Sequence, residues 1–255
     1  MLNLFDSHAH LDDEKFDIDR DETIKKIFDS GVSHFVNIGC DIESSKASIA
    51  LAEKYDFIYA TVGMHPHDSK DMTEETLLEL EQLAQHKKVV AIGEIGLDYY
   101  YDNSPRDVQQ YWFKRQLELA EKLDMPITIH SRDAAADTME ILKSTTARGI
   151  IHCYSGSPEM AKQYIDMGFY ISFAGPVTYK NSKNAVETAK IVPSDRILIE
   201  TDSPYLAPDG FRGKRNDSSL VRYVCEKLAE IKGVSFEEMS QTTYNNAKTV
   251  YRIKE

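Results

Sequence analysis

Leu4-Phe5-Asp6-Ser7-His8-Ala9-His10 opens the chain as a short apolar run ending in His-x-His. In a β-strand, residues i and i+2 point to the same face, so at a strand end His8 and His10 aim two imidazoles at one point. That arrangement suits a divalent metal. The strand rhythm then repeats. Apolar β-type runs fall at Leu2–Asp6, His34–Ile38, Ile58–Val62, Val89–Gly93, Ile127–His130, Ile150–His152, Tyr170–Phe173 and Ile197–Glu200. Helical patterns lie between them at Ile24–Ser30, Ser44–Lys54, Thr73–Gln85, Pro105–Leu123, Ala134–Ser144, Pro158–Met167 and Asn181–Ile191, and close the chain at Ser218–Ile231 and Phe236–Ile253. Thr73-Glu74-Glu75-Thr76 and Ser235-Phe236-Glu237-Glu238 place acids in a first helical turn.

Eight strands alternating with helices in 255 residues predict an α/β protein, a (β/α)8 TIM barrel, as one domain over residues 1–255. A doubly wound sheet commonly carries a Gly-rich phosphate turn after its first strand, and here that strand ends in His-x-His. There is no repeat of 20–50 residues, no low-complexity tract and no Pro/Gly/Ser linker. No apolar stretch approaches the roughly 18–20 residues of a membrane span, and the start of the chain lacks a basic region, so neither membrane insertion nor secretion is expected. Cys40, Cys153 and Cys225 are far apart and form no CxxC, which suits thiols in a reducing cytoplasm. A formal charge of −12 argues against broad coating of nucleic acid but leaves room for a local cationic site.

In a barrel, functional side chains sit at the carboxyl ends of strands. Those ends carry His8 and His10, Gly63-Met64-His65-Pro66-His67, Gly93-Glu94-Ile95-Gly96-Leu97-Asp98, His130-Ser131-Arg132, His152-Cys153-Tyr154-Ser155-Gly156 and Glu200-Thr201-Asp202-Ser203-Pro204. Six of the eight histidines fall there, a gathering that packing does not explain. Imidazoles with carboxylates suit divalent cations such as Mg, Mn or Zn, and four histidines with two acids exceed what one tetrahedral ion needs. Two ions bridged by a carboxylate would use them all, with Glu94 the natural bridge. Gly93 and Gly96 beside it would let metal and substrate approach the backbone. Asp202 can serve as a ligand or accept the proton of an activated water, and it is preferred over Glu200 because it lies farther toward the rim. Pro66 fixes a turn between His65 and His67, so those two fit either a supporting role or substrate contact. Asp98 could orient a ligand histidine. Arg132, and Arg212, Lys214 and Arg215 in Phe211-Arg212-Gly213-Lys214-Arg215-Asn216, are suited to phosphate, while Tyr99, Tyr100 and Tyr101 could stack on bases or sugars.

Together these stretches resemble the TatD-type metal-dependent hydrolases, a DNase family within the amidohydrolase superfamily. The resemblance runs from Asp6-Ser7-His8-Ala9-His10-Leu11 through each strand-end motif to Arg212-Gly213-Lys214-Arg215-Asn216. It implies a barrel of the metallo-dependent hydrolase type with two divalent cations. His8 and His10 would hold the first, Glu94 would bridge, His130 and His152 would hold the second, and Asp202 would complete the first. A carboxylate thus takes the place that many amidohydrolases fill with a modified lysine. The resemblance also implies a deoxyribonuclease, typically trimming DNA from the 3′ end. The nucleophile expected is a hydroxide bridging the two ions. The chain departs from the family where Asp217-Ser218 follows Asn216, in place of an acid and then proline.

The function expected is therefore metal-dependent cleavage of phosphodiester bonds, with Asp202 and Glu94 catalytic. Arg132, Arg212, Lys214, Arg215 and His65 would contact the substrate, single-stranded DNA or a 3′ end. No stable protein partner is evident. The same centre could instead hydrolyse an ester or amide, on an aminoacyl-tRNA or a small metabolite. A metal-stabilised binding protein without turnover is the remaining competitor.

Overall fold

A computed structural model describes residues 3–254. In chain order the elements are β1 (Leu4–Ala9), α1 (Arg20–Asp29), β2 (Val32–Asn37), α2 (Ile42–Lys54), β3 (Ile58–Val62), α3 (Glu74–Leu83), β4 (Val89–Asp98), α4 (Arg106–Lys122), β5 (Ile127–Arg132), α5 (Ala135–Leu142), β6 (Gly149–Ile151), α6 (Pro158–Asp166), β7 (Tyr170–Phe173), α7 (Lys183–Ile191), β8 (Ile197–Ile199), α8 (Val221–Lys232) and α9 (Phe236–Val250). The strands form one parallel sheet in the order β1 to β8, the (β/α)8 barrel expected from the alternation. The described chain divides into two compact units. One holds the residues up to Asn37 and those from Cys153 on, and the other is Ile38–His152.

The first unit contains β1, β2, β7 and β8. β1 pairs with β2, Asp6 opposite Phe35, and β7 with β8, Ser172 opposite Leu198. β8 returns to β1 through a bridge between Ala9 and Ser203. There the His10 N–H donates to the Ser203 carbonyl at 2.7 Å and the Asp202 N–H to the His8 carbonyl at 2.9 Å. Phe5, fully buried on β1, stacks on His34 at 5.6 Å and meets the edge of Tyr244 of α9 at 6.1 Å. The Tyr251 hydroxyl donates to the Ser7 carbonyl at 2.7 Å, which fastens the end of α9 beneath the His-x-His strand. Burying one such phenyl group is worth about 1.5–3 kcal/mol. The Ser235 side chain caps α9 by accepting from the Glu238 N–H at 3.1 Å, as its sequence promises.

The second unit contains β3 to β6 with α2 to α5. β4 is longer than the run Val89–Gly93 that its apolar residues predict: it continues to Asp98, and all of it is buried. Its register sets Gly96 beside His130 and Asp98 beside Arg132 of β5. α4 packs on β4 and turns Phe113 and Leu117 into the core. The Thr73 hydroxyl caps α3 by accepting from the Thr76 N–H at 3.2 Å. The first strand expected at Leu2–Asp6 begins outside the described residues; within them β1 runs on through His8 to Ala9. No described helix is long and apolar enough to cross a membrane.

Candidate metal centres

In the first unit, alternation along β1 turns His8 and then His10 to one side, and their Nε2 atoms lie 3.2 Å apart. Asp202 occupies the left-handed region at φ 56°, which a short polar side chain tolerates. Its Oδ1 stands 3.4 Å from His10 Nε2 and 3.7 Å from His8 Nε2. The turn role that Asp202 could have served is also present, since the Tyr205 N–H donates to its carbonyl at 2.9 Å. Glu200 takes a different position and accepts from the Cys153 N–H at 2.6 Å. Asp6 ties the segment together by accepting from the His8 N–H at 3.2 Å and from the Thr201 N–H and hydroxyl at 2.9 and 2.5 Å. Burial pushes the Asp6 carboxyl up to about 7 against those hydrogen bonds.

In the second unit, Glu94 points its Oε1 into a ring of imidazoles. It lies 2.9 Å from His130 Nδ1, 2.9 Å from His152 Nε2 and 3.6 Å from His65 Nε2. His130 Nδ1 and His152 Nε2 are 3.4 Å apart. The other nitrogen of His130 faces Asp98 Oδ2 at 3.0 Å, and His67 Nε2 meets the same oxygen at 3.0 Å. Asp98 Oδ1 accepts the Tyr100 and Tyr101 N–H groups at 3.0 and 2.8 Å. Burial would raise the Asp98 carboxyl, but the bonds from His130 and the Tyr101 N–H outweigh it and hold the group well below the usual carboxylate range. Burial would likewise depress His130; its bonds to Asp98 and Glu94 win and raise it. His65 is held well below its ordinary value by burial first and by the neighbouring His130 second, so it presents the neutral imidazole a metal requires.

Both donor sets fit a divalent ion. Two donors each about 2.1 Å from one ion and 90–109° apart stand about 3.0–3.4 Å from each other. The separations of 3.2 and 3.4 Å around His10 and of 3.4 Å between His130 and His152 match that spacing, while the 2.9 Å contacts of Glu94 are slightly shorter and the 3.7 Å between His8 and Asp202 slightly longer. His65, Glu94 and His130 also offer ligand atoms within 4.8 Å of one another, so His65, expected at the substrate, stands among the potential ligands.

The expected cations separate. Arg132 lies exposed, its guanidinium 3.9 Å from the Tyr100 ring and 4.8 Å from that of Tyr101. Arg212 sits 4.5 Å over Tyr179, and Lys214 5.9 Å from Phe211. Arg215 turns away from this group. It grips Asp19 through two bonds of 2.7 and 2.6 Å, donates to the Lys15 carbonyl and packs on Phe16, so its charge is already matched. Tyr99 is tied to Asp137 through its hydroxyl at 2.7 Å.

The expected purpose of the glycines beside Glu94 needs correcting. A Cβ on Gly93 would come within 2.7 Å of Thr128 Cβ, and one on Gly96 within 2.0 Å of the His130 carbonyl oxygen. The space they vacate is filled by β5, not left open to metal or substrate. Gly96 also has φ 144°, a conformation that L side chains rarely adopt.

Two supporting residues escape sequence reasoning. Gln116 of α4, buried, accepts from the Met64 N–H at 2.7 Å and donates to the Met64 carbonyl at 3.1 Å, which fixes the segment entering His65-Pro66-His67. Two turns earlier, Gln109 accepts from the Asp98 N–H at 2.8 Å and donates to the Asp98 carbonyl at 3.1 Å. The one available signal was their spacing: two glutamines seven apart on the face that also carries Trp112 and Phe113.

A sequence profile of the family described as TatD related DNase matches residues 5–252. The metal-dependent hydrolase YabD of Bacillus subtilis is 49% identical over 253 residues, covering 98% of this chain and 99% of its own. A protein of Citrobacter koseri named 3′-5′ ssDNA/RNA exonuclease TatD is 32% identical, with 98% and 99% covered. Among solved structures, the TatD homologue YjjV of Escherichia coli K12 superposes with a TM-score of 0.93 at 29% identity, covering 99% of each chain.

Proposed function

Because the chain belongs to the TatD family of metal-dependent hydrolases, we propose that it cleaves phosphodiester bonds of single-stranded DNA, stepwise from the 3′ end, as one catalytic domain. The observation that carries the proposal is the donor spacing: imidazole and carboxylate atoms 2.9–3.7 Å apart at strand ends, in each unit. The name of the Citrobacter koseri relative supports the choice of substrate and direction.

In this reading His8, His10 and Asp202 hold one divalent cation, Mg, Mn or Zn, and His130, His152 and Glu94 hold a second. Bound cations supply charge neutralisation at the phosphoryl oxygens and bring the ionisation of water near neutrality. Asp202 accepts the proton of the attacking water. Asp98 fixes which His130 nitrogen is presented to the ion, since the opposite ring atom is engaged with its carboxylate. His65 enters neutral as a further donor or as a contact to the phosphate. Arg132, stacked over Tyr100, offers its fork to a neighbouring phosphate, and Arg212 and Lys214 supply further positive charge.

The test uses single-stranded DNA labelled at the 3′ or the 5′ end, chelator-stripped protein with Mg2+, Mn2+ or Zn2+ added back, and Asp202→Ala alongside. Stepwise loss from the 3′ end by wild type only with metal, reduced at least about a hundredfold in the variant, is expected. Hydrolysis of a carboxylic ester with no attack on DNA would overturn the phosphodiester assignment while leaving a metal-dependent hydrolase.

A further inference from the structure

The loop after β7 and the loop after β8 enclose a cleft of about 760 Å3 whose walls carry Lys180, Lys183 and Arg212. All of these lie in the first unit, and the second wall belongs to the same β8 loop that begins with Asp202. A cationic cleft is unexpected on a chain of net charge −12. Many basic residues elsewhere are matched locally: Lys26 by Asp217, Arg106 by Asp102, Lys122 by Glu81, Arg215 by Asp19 and Arg222 by Glu226. Among the described residues, no acid forms an ion pair with Lys180, Lys183 or Arg212. One acid, Asp209, shares the lining, so the cleft keeps a surplus of two positive charges.

We propose that this cleft holds the phosphate backbone of a single-stranded polynucleotide, beyond the bond that is cut, an inference that rests on the nuclease reading above. Several features favour a strand over a small phosphorylated ligand. A site for a small molecule usually encloses it among buried polar groups, whereas Lys180, Lys183 and Arg212 are all exposed. The Tyr179 ring is already covered by Arg212, and its hydroxyl donates to the Ala207 carbonyl at 2.9 Å, so it is not presented as a platform for a base. Asn181 and Asn184 add amide donors beside the lysines. The groups thus match phosphate charge and offer no reading of base identity, which is how sequence-tolerant strand binding works. Neither lysine belongs to the motifs that carry the family resemblance.

The experiment measures binding of a fluorescent, phosphorothioate-linked thymidine dodecamer, which resists hydrolysis, to metal-loaded protein across a range of salt. Wild type is compared with Lys180→Gln/Lys183→Gln and with the control Lys25→Gln/Lys143→Gln, which removes the same charge elsewhere. Two lost phosphate contacts should reduce the slope of log affinity against log salt by about 1.4, which amounts to about tenfold weaker binding at 0.15 M. The control pair should bind as wild type does. Equal affinity for the Lys180/Lys183 variant, or an equal loss in the control pair, would overturn the proposal. So would thymidine monophosphate competing as tightly as the dodecamer, which would mark a small-ligand cleft. Cleavage of the same sequence with natural linkages is followed separately. A strand bound through Lys180 and Lys183 but never cut sinks the nuclease reading and spares the cleft, and cutting without any effect of the two lysines does the reverse.

Discussion

Asp98 accepts four hydrogen bonds with two oxygens, two from backbone N–H groups of the following turn and two from imidazoles. Its carboxylate holds His130 by the ring nitrogen opposite the one that meets Glu94. Asp98→Asn keeps the shape but replaces one acceptor with an amide donor, and metal affinity is expected to fall about 10–100-fold. Calorimetric titration of stripped protein with Mn2+ or Zn2+ measures this, and unchanged affinity would remove Asp98 from the centre. Gly96 lies on the same strand, two residues earlier. Gly96→Ala forces a Cβ to within 2.0 Å of the His130 carbonyl at a φ of 144°. The expected cost exceeds about 2 kcal/mol, read from urea unfolding, because strain at a special φ and a backbone clash act together. A variant of wild-type stability would show that β4 and β5 can separate locally at little cost.

Most elements were legible from periodicity because their burial is one-sided or complete: Ile58–Val62 and Tyr170–Phe173 are strands to the residue. β4 runs past its predicted end at Gly93: Gly93-Glu94 and Gly96 look like a loop, whereas pairing with β5 keeps this glycine-containing, charged segment extended. The metal-type residues were legible because histidine and acid collect at strand ends. Their supports were not, since Gln116 and Gln109 act on backbone groups at Met64 and Asp98 that no local pattern connects to them. α4 is therefore a brace for the backbone at Met64 and Asp98 as well as a packing element. Gln116→Met preserves volume and leaves both Met64 backbone groups without that partner, for an expected loss of about 1–3 kcal/mol in thermal or urea unfolding. If stability holds while metal binding through His65 weakens, the glutamine positions the segment and contributes little to folding.

At the scale of the whole molecule, alkaline pH should act through buried neutral groups. Burial pushes the Cys225 thiol and the Tyr164 phenol each up to about 12, from ordinary values of 9.0 and 10.0. Between those limits the folded chain keeps protons that the unfolded chain releases, so stability present below pH 9 declines as pH rises toward 12. The thermal midpoint should fall across that window, and Tyr164→Phe should flatten the fall above pH 10. A profile indifferent to the substitution would assign the loss to other groups. The closure of β8 on β1 has a further consequence, for synthesis. The Asp202 N–H bonds the His8 carbonyl and the His10 N–H bonds the Ser203 carbonyl, so the two ends of one donor set are registered by backbone almost 200 residues apart in sequence. In synthesis the paired imidazoles of the proposed donor set are made well before the carboxylate that faces them. A fragment that stops short of Asp202 would therefore lack one donor of the proposed cation site, however well its first strands paired.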